Sequence, residues 1–61
     1  MYNQIYSAIS CAVRQGKMST RVSLETCRIL AQMEEDGVNI KAWSLEEGYV
    51  TVTTNQSTFT L

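Results

Sequence analysis

The 61-residue sequence contains no histidine. The commonest metal ligand and general base is therefore missing, and no imidazole can activate a serine or cysteine nucleophile. Glycine-rich phosphate-binding motifs are also absent. The two cysteines, Cys11 and Cys27, lie 16 positions apart and outside any Cys-x-x-Cys pair, which is unlike a zinc site. We expect no metal, no cofactor and no enzymatic activity.

Long hydrophobic runs and a strong net charge are missing as well. No stretch approaches the roughly 18 apolar residues of a membrane helix, and the N-terminus lacks the basic region of a signal peptide. Five Lys and Arg stand against six Asp and Glu, and 44% of the residues are hydrophobic, which is too apolar for a disordered chain. These values predict one small domain over residues 1–61, without a membrane partner, in the cytoplasm, or in the host cytoplasm if the protein is viral.

Helical periodicity occupies the first half of the chain. Apolar residues recur at helical spacing over residues 2–15, and Gly16 follows as a C-terminal glycine. A second helix is predicted to begin after Ser23, acting as N-cap, and to end at about Asp36. Its apolar arc is wide, which suggests that it is covered on two sides. That arc comprises Leu24, Cys27, Leu30 and Ala31 on one side and Val22, Ile29 and Met33 on the adjoining side.

The segment between the helices and the two cysteines leave alternatives open. Residues 17–22 either extend the second helix, add a turn or form a short strand. Cys27 falls on the core side of its helix, whereas Cys11 projects away from the apolar stripe, towards solvent or an intermolecular contact. We therefore expect no internal disulfide.

From Val38 the apolar period changes to two, which indicates β-strands. We predict that Trp43 pairs with Tyr49 across a five-residue loop, and that Thr54 pairs with Ser57 across a tight turn. This register gathers the apolar residues on one side of the sheet, namely Val38, Ile40, Ala42, Val50, Val52, Phe59 and Leu61. The predicted fold is α+β, with two N-terminal helices packed as one layer on a three-stranded antiparallel meander, in the order ααβββ.

The same register predicts that Trp43 and Tyr49 lie on the outer face of the sheet beside Lys41. An ordinary cross-strand aromatic pair would stabilise the hairpin by roughly 0.2–1 kcal/mol. Trp and Tyr are also enriched at the centres of protein interfaces. We interpret Trp43, Tyr49 and Lys41 as candidate partner-binding residues.

An acidic run, Glu34-Glu35-Asp36, ends the second helix. The helix dipole disfavours anions there by roughly 0.3–1 kcal/mol each, so stability does not explain the run. Its ordinary interpretation is a solvated helix end. Its functional interpretation is a patch that meets a protein partner with a basic surface.

These features predict a protein-binding module, an inhibitor or adaptor that occupies a partner's surface, as accessory proteins of phages and mobile elements do. One alternative is a nucleic-acid-binding regulator of truncated winged-helix type, although a pI of about 5.1 opposes it. Another is a structural subunit of a homo-oligomer, such as a homodimer, in which Val22, Ile29 and Met33 pack against a symmetry mate.

Overall fold

The computed structural model describes residues 1–61 and confirms the predicted ααβββ arrangement. The sheet order is β1-β2-β3, with both neighbouring pairs antiparallel. The elements are α1 (Tyr2–Arg14), α2 (Thr20–Glu35), β1 (Ile40–Glu46), β2 (Tyr49–Thr54) and β3 (Thr58–Thr60). Neither helix is both long enough and apolar enough to cross a membrane.

Helix α1 matches its prediction because its apolar stripe supplies the core. Ile5, Ile9 and Ala12 are buried one above the other along the helix. The helix ends at Arg14, and the φ of 74° at Gly16 permits the backbone N–H of Lys17 to reach the carbonyl of Ala12 at 2.8 Å. The chain thereby reverses direction towards α2.

Helix α2 begins four residues earlier than the sequence predicts, so Ser23 as N-cap is wrong. The N-cap is Ser19, whose Oγ accepts a hydrogen bond from the backbone N–H of Val22 at 3.1 Å. Ser23 is instead buried within the helix and donates to the carbonyl of Thr20 at 2.7 Å. The earlier start lets Met18, just before the cap, enter the core. Residues 20–22 thus extend the second helix.

The first hairpin has a different register from the predicted one. Strand β1 continues to Glu46, which pairs with Tyr49 across the two-residue turn Glu47-Gly48, and Gly48 adopts a φ of 91°. A β-bulge between Ile40 and Ala42 shifts the rest of β1 by one residue. The bulge turns Ala42 outwards and Trp43 inwards, so the larger apolar side chain is the one withdrawn from water.

The second hairpin confirms its predicted register. Val52 lies opposite Phe59. The backbone N–H of Thr54 donates to the carbonyl of Ser57 at 2.9 Å, and that of Leu61 donates to the carbonyl of Val50 at 2.8 Å. Strand β3 is therefore held to β2 along its whole length.

The core lies between the helices and the inner face of the sheet. Helix α2 contributes one apolar residue to it, Leu30, together with the small polar residues Ser23 and Thr26. The buried hydrophobic residues are Ile5, Ile9, Ala12, Met18, Leu30, Ile40, Val50 and Val52. Such a small core leaves several other apolar side chains of α2 at the surface.

Candidate protein-binding surfaces

The predicted outward-facing pair of Trp43 and Tyr49 does not form. Trp43 lies opposite Val52, and directly paired residues of antiparallel strands point to the same face, so the indole packs half-buried against the core. Tyr49 lies opposite Glu46 and is exposed. The prediction is wrong because the hairpin closes at Glu47-Gly48 rather than across five residues.

Without the indole, the outer face of the sheet is mostly polar. Tyr49 is its one aromatic side chain, and Lys41 is exposed at the bulge. The remaining outward positions of the paired strands are Ala42, Ser44, Glu46, Thr51, Thr53, Thr58 and Thr60. This face has the composition of an ordinary solvated sheet surface.

One of the three carboxylates in the acidic run has a side-chain partner within the fold, and a second lies near two tyrosines. Burial, and secondly the charge of Glu34, raises the pKa of Tyr2 and of Tyr6. Glu34 therefore lies near the tyrosines at the start of α1. Asp36 accepts a hydrogen bond from Gln32 Nε2 at 3.0 Å. The role of Glu34, Glu35 and Asp36 in binding a basic partner stays a prediction.

Helix α2 exposes larger apolar residues than some of the residues it buries. Thr26 is 1% exposed, whereas Leu24 is 59% and Ile29 is 44% exposed. At 100° per residue, Leu24 lies roughly 120° to one side of Leu30 and Ile29 lies roughly 100° to the other side. The wide apolar arc is therefore uncovered on both flanks, where the sequence predicted coverage.

One flank opens into a groove between α1 and α2. The groove has a volume of about 460 Å³ and is lined by apolar side chains from both helices, among them Ile9 and Val13 of α1 and Leu24 of α2. Cys27 lies half-buried in it as a free thiol. The surface of this groove is mainly apolar, with Arg14 at its margin.

Cationic residues neighbour the exposed Leu24 along α2, and one more lines the groove from α1. Arg21 and Arg28 stand three residues before and four residues after Leu24, which places all three on one face of α2. Arg14 approaches from α1, where its Nη2 donates to Sγ of the exposed Cys11 at 3.2 Å. Together with Lys17, these cations outnumber the one acid of residues 1–33, Glu25, by three.

The other flank of α2 meets the open edge of the sheet. Ile29 and Met33 of α2 line a second groove, of about 350 Å³, opposite Phe59 and Leu61. Phe59 points to the same side of the sheet as its partner Val52 but is 43% exposed, because it lies at the margin of the helical layer. The two grooves thus lie on opposite sides of one helix.

No protein-family model, curated protein or solved structure matches this chain. The candidate surfaces therefore rest on the chain's own chemistry. Cysteine and acidic side chains do not gather in groups of three that could hold a metal ion. At the helices, a partner could bury apolar side chains next to positive charges. At the sheet edge, a partner could pair with the backbone and bury apolar side chains beside it.

Sequence reasoning found the wide arc of α2 but not the groove. The spacing of Arg21, Leu24 and Arg28 is visible in the sequence and already places one leucine between two cations. The contribution of Arg14 and Val13 could not be read in the same way, because it depends on how α1 packs beside α2.

Proposed function

We propose that this chain is a non-enzymatic protein-binding module of the inhibitor or adaptor type. Its binding surface is the α1–α2 groove, and its partner contributes an acidic segment that carries apolar side chains. The observation that carries this proposal is Leu24, the most exposed of the large hydrophobic residues, which lines an apolar groove together with Arg14.

The apolar part of the groove gives the partner most of its binding free energy. Burying a leucine side chain fully stabilises a complex by roughly 1.5–3 kcal/mol, and the surrounding groove adds further apolar area. A nucleic acid would use the cations but would leave the leucine and the groove uncovered. For this reason the surface favours a protein.

The cationic rim selects the sign of the partner's charge. Carboxylates that approach Arg14, Arg21 and Arg28 can form paired hydrogen bonds with guanidinium groups, while a basic segment would be repelled. The rim therefore favours an acidic segment at this groove, in contrast to the basic partner inferred from the acidic run. We place this activity inside the cell, where the free thiols Cys11 and Cys27 stay reduced.

The test uses the purified chain and three probes. The first is a synthetic peptide that alternates leucine and isoleucine with aspartate and glutamate, the second is the same peptide with lysine at each acidic position, and the third is a DNA duplex. Backbone amide shifts in two-dimensional NMR show where each probe binds. We expect the acidic peptide to shift residues of the groove, Val13, Leu24 and Cys27 among them, and the lysine peptide to shift none.

Matched variants identify the contact. Leu24→Ser should weaken binding of the acidic peptide by about tenfold or more, the equivalent of about 1.4 kcal/mol. Tyr49→Ala, on the outer face of the sheet, should leave it unchanged. Binding of the DNA duplex that falls steeply with salt and ignores Leu24→Ser would contradict the proposal in favour of a nucleic-acid partner.

A further inference from the structure

The free edge of β3 is a second surface, independent of the groove used in the proposed function. The backbone carbonyl of Ser57 accepts a hydrogen bond from β2, the backbone N–H of Leu61 donates one to β2, and Phe59 lies midway between them opposite Val52. Backbone groups alternate in direction along a strand, so the N–H and C=O groups of Thr58 and Thr60 point away from β2. Strand β3 is the last strand of the sheet, and all three of its residues are exposed.

This edge lacks the features that usually prevent strands from pairing between molecules. Proteins protect edge strands with charged residues, proline or bulges. Residues 48–61 contain no charged residue and no proline, and the pairing of β2 with β3 shows no bulge. The opposite edge of the same sheet is protected, because β1 carries a bulge and the exposed Lys41.

We propose that two copies of this chain associate through β3, side by side and antiparallel, around a two-fold axis at Phe59. In this register Thr58 of each copy lies opposite Thr60 of the other. Each of the two pairs exchanges two backbone hydrogen bonds, so the outward N–H and C=O groups of Thr58 and Thr60 are all satisfied. The two three-stranded sheets become one sheet of six strands.

The same symmetry covers the apolar groove between α2 and β3. The two Phe59 residues form a non-hydrogen-bonded pair, the arrangement in which opposite side chains approach most closely. Each ring points to the helix side of the sheet, next to Ile29 and Leu61. Because the edge strands are uncharged, two identical copies meet without like-charge repulsion between them.

The size of the contact predicts a reversible dimer. The groove is lined by eight residues, and Ser57 and Thr58 extend the edge beside it, which at the usual ratio corresponds to roughly 300–400 Å² per copy. A standard interface buries about 800 Å² per partner, so the dimer belongs to the weak, transient class. We therefore expect the dissociation constant of the dimer to lie in the micromolar range.

Sedimentation equilibrium of the full chain, from roughly 10 µM to roughly 1 mM, tests the proposal. The mean mass should rise from 6.9 kDa towards twice that value as the concentration increases. Hydrogen exchange at the Thr58 and Thr60 amides should slow over the same range. A mass that stays at 6.9 kDa throughout would overturn the proposal, while leaving the peptide-binding test of the groove unaffected.

Two variants locate the interface. Thr60→Pro removes an N–H that points away from β2, so the protomer keeps its own sheet while the dimer loses two symmetric hydrogen bonds. Phe59→Lys places two positive charges next to each other at the two-fold axis. It tests the same interface if Thr60→Pro disturbs folding. Both should hold the mass at 6.9 kDa where the parent chain is half dimeric, whereas Tyr49→Lys should not. A dimer that survives both variants but is lost in Leu24→Ser would overturn this interface and assign self-association to the α1–α2 groove.

Discussion

Helices α1 and α2 pack in the same layer but use their apolar residues differently. In α1 the large apolar residues Ile5 and Ile9 are buried, and the pattern of the sequence is accounted for by folding alone. In α2 two of the three buried residues are Ser23 and Thr26, while Leu24 remains mostly exposed. The difference shows that the requirements of the monomer's core do not account for the sequence of α2.

The comparison also separates residues that stabilise the protomer from residues available for association. An apolar side chain that is buried in the protomer stabilises the folded state, whereas one that stays exposed can release the same free energy only on binding. Substitution of the buried apolar residues of α1 should therefore lower stability, whereas substitution of the exposed apolar residues of α2 should weaken association and leave stability nearly unchanged.

The largest expected effect is that of Ile5→Ala in α1. Removal of a fully buried isoleucine side chain should lower the free energy of unfolding by about 2–5 kcal/mol, because it leaves a cavity in a small core. Urea denaturation followed by circular dichroism measures the change. A loss no greater than that of Leu24→Ala would break the distinction between the two helices.

The next effect concerns the start of α2. Ser19→Ala removes the side-chain acceptor of the Val22 N–H and should lower stability by about 1 kcal/mol. Ser23→Ala, inside the helix, should change it by less than about 0.5 kcal/mol, since alanine has the higher helix propensity. The reverse order in thermal denaturation would mean that α2 begins at Ser23 after all.

An effect of similar size is expected where the start of α1 meets the segment that follows α2. Tyr2 donates a hydrogen bond from its hydroxyl to the carbonyl of Val38 at 2.7 Å, and Tyr2→Phe should lower stability by roughly 0.5–1.5 kcal/mol. Tyr6→Phe is the matched control, because the Tyr6 hydroxyl makes no such hydrogen bond to Val38. Equal losses in the two variants would argue against a contribution from this hydrogen bond.

The same two tyrosines predict how stability depends on alkaline pH. The pKa of Tyr2 and that of Tyr6 are raised in the folded state, first by burial and then by the charge of Glu34. Their contribution is therefore fully present below the ordinary tyrosine pKa of about 10 and is lost as pH rises through the folded-state values. Denaturation curves between neutral pH and pH values above about 10 should show this loss, and the double Phe variant should show less of it.

The smallest effect on stability is expected on the exposed flanks of α2. Leu24→Ala and Ile29→Ala should each change the free energy of unfolding by less than about 0.5 kcal/mol, as surface substitutions usually do. In the peptide-binding experiment Leu24→Ala should have a large effect, and in the sedimentation experiment Ile29→Ala should. A loss of several kcal/mol from Leu24→Ala would show that the residue belongs to the core.

The parts of the fold that follow from local patterns could be predicted from the sequence. Helix α1 has one apolar stripe and a glycine at its end, and the register of β2 with β3 has one solution that puts Val52 and Phe59 on one side. The register of β1 was missed because a bulge interrupts its alternation. The sequence does contain a signal for the observed register, because Trp43 and Leu45 are apolar residues that alternate with polar ones up to the two-residue turn before Tyr49.

The start of α2 and the site depend on tertiary structure. Ser19 and Ser23 are both suitable N-caps, and the choice depends on the burial of Met18, which no local pattern indicates. The prediction that Trp43 faces outwards was wrong because it depended on the predicted β1 register, which was also wrong. The groove between the helices could be predicted only in part, because its α1 side is set by helix packing.

The meander has a consequence for how the chain folds. Each strand pairs with its neighbour along the sequence, so the sheet can form through two short hairpins without closing a long loop. Proteins rich in such local pairing fold quickly, and we expect folding of this chain to be limited by docking of α1 on the sheet. Strand β3, with three residues and one neighbour, adds the least to that step and should be the first part of the sheet to open in the native state.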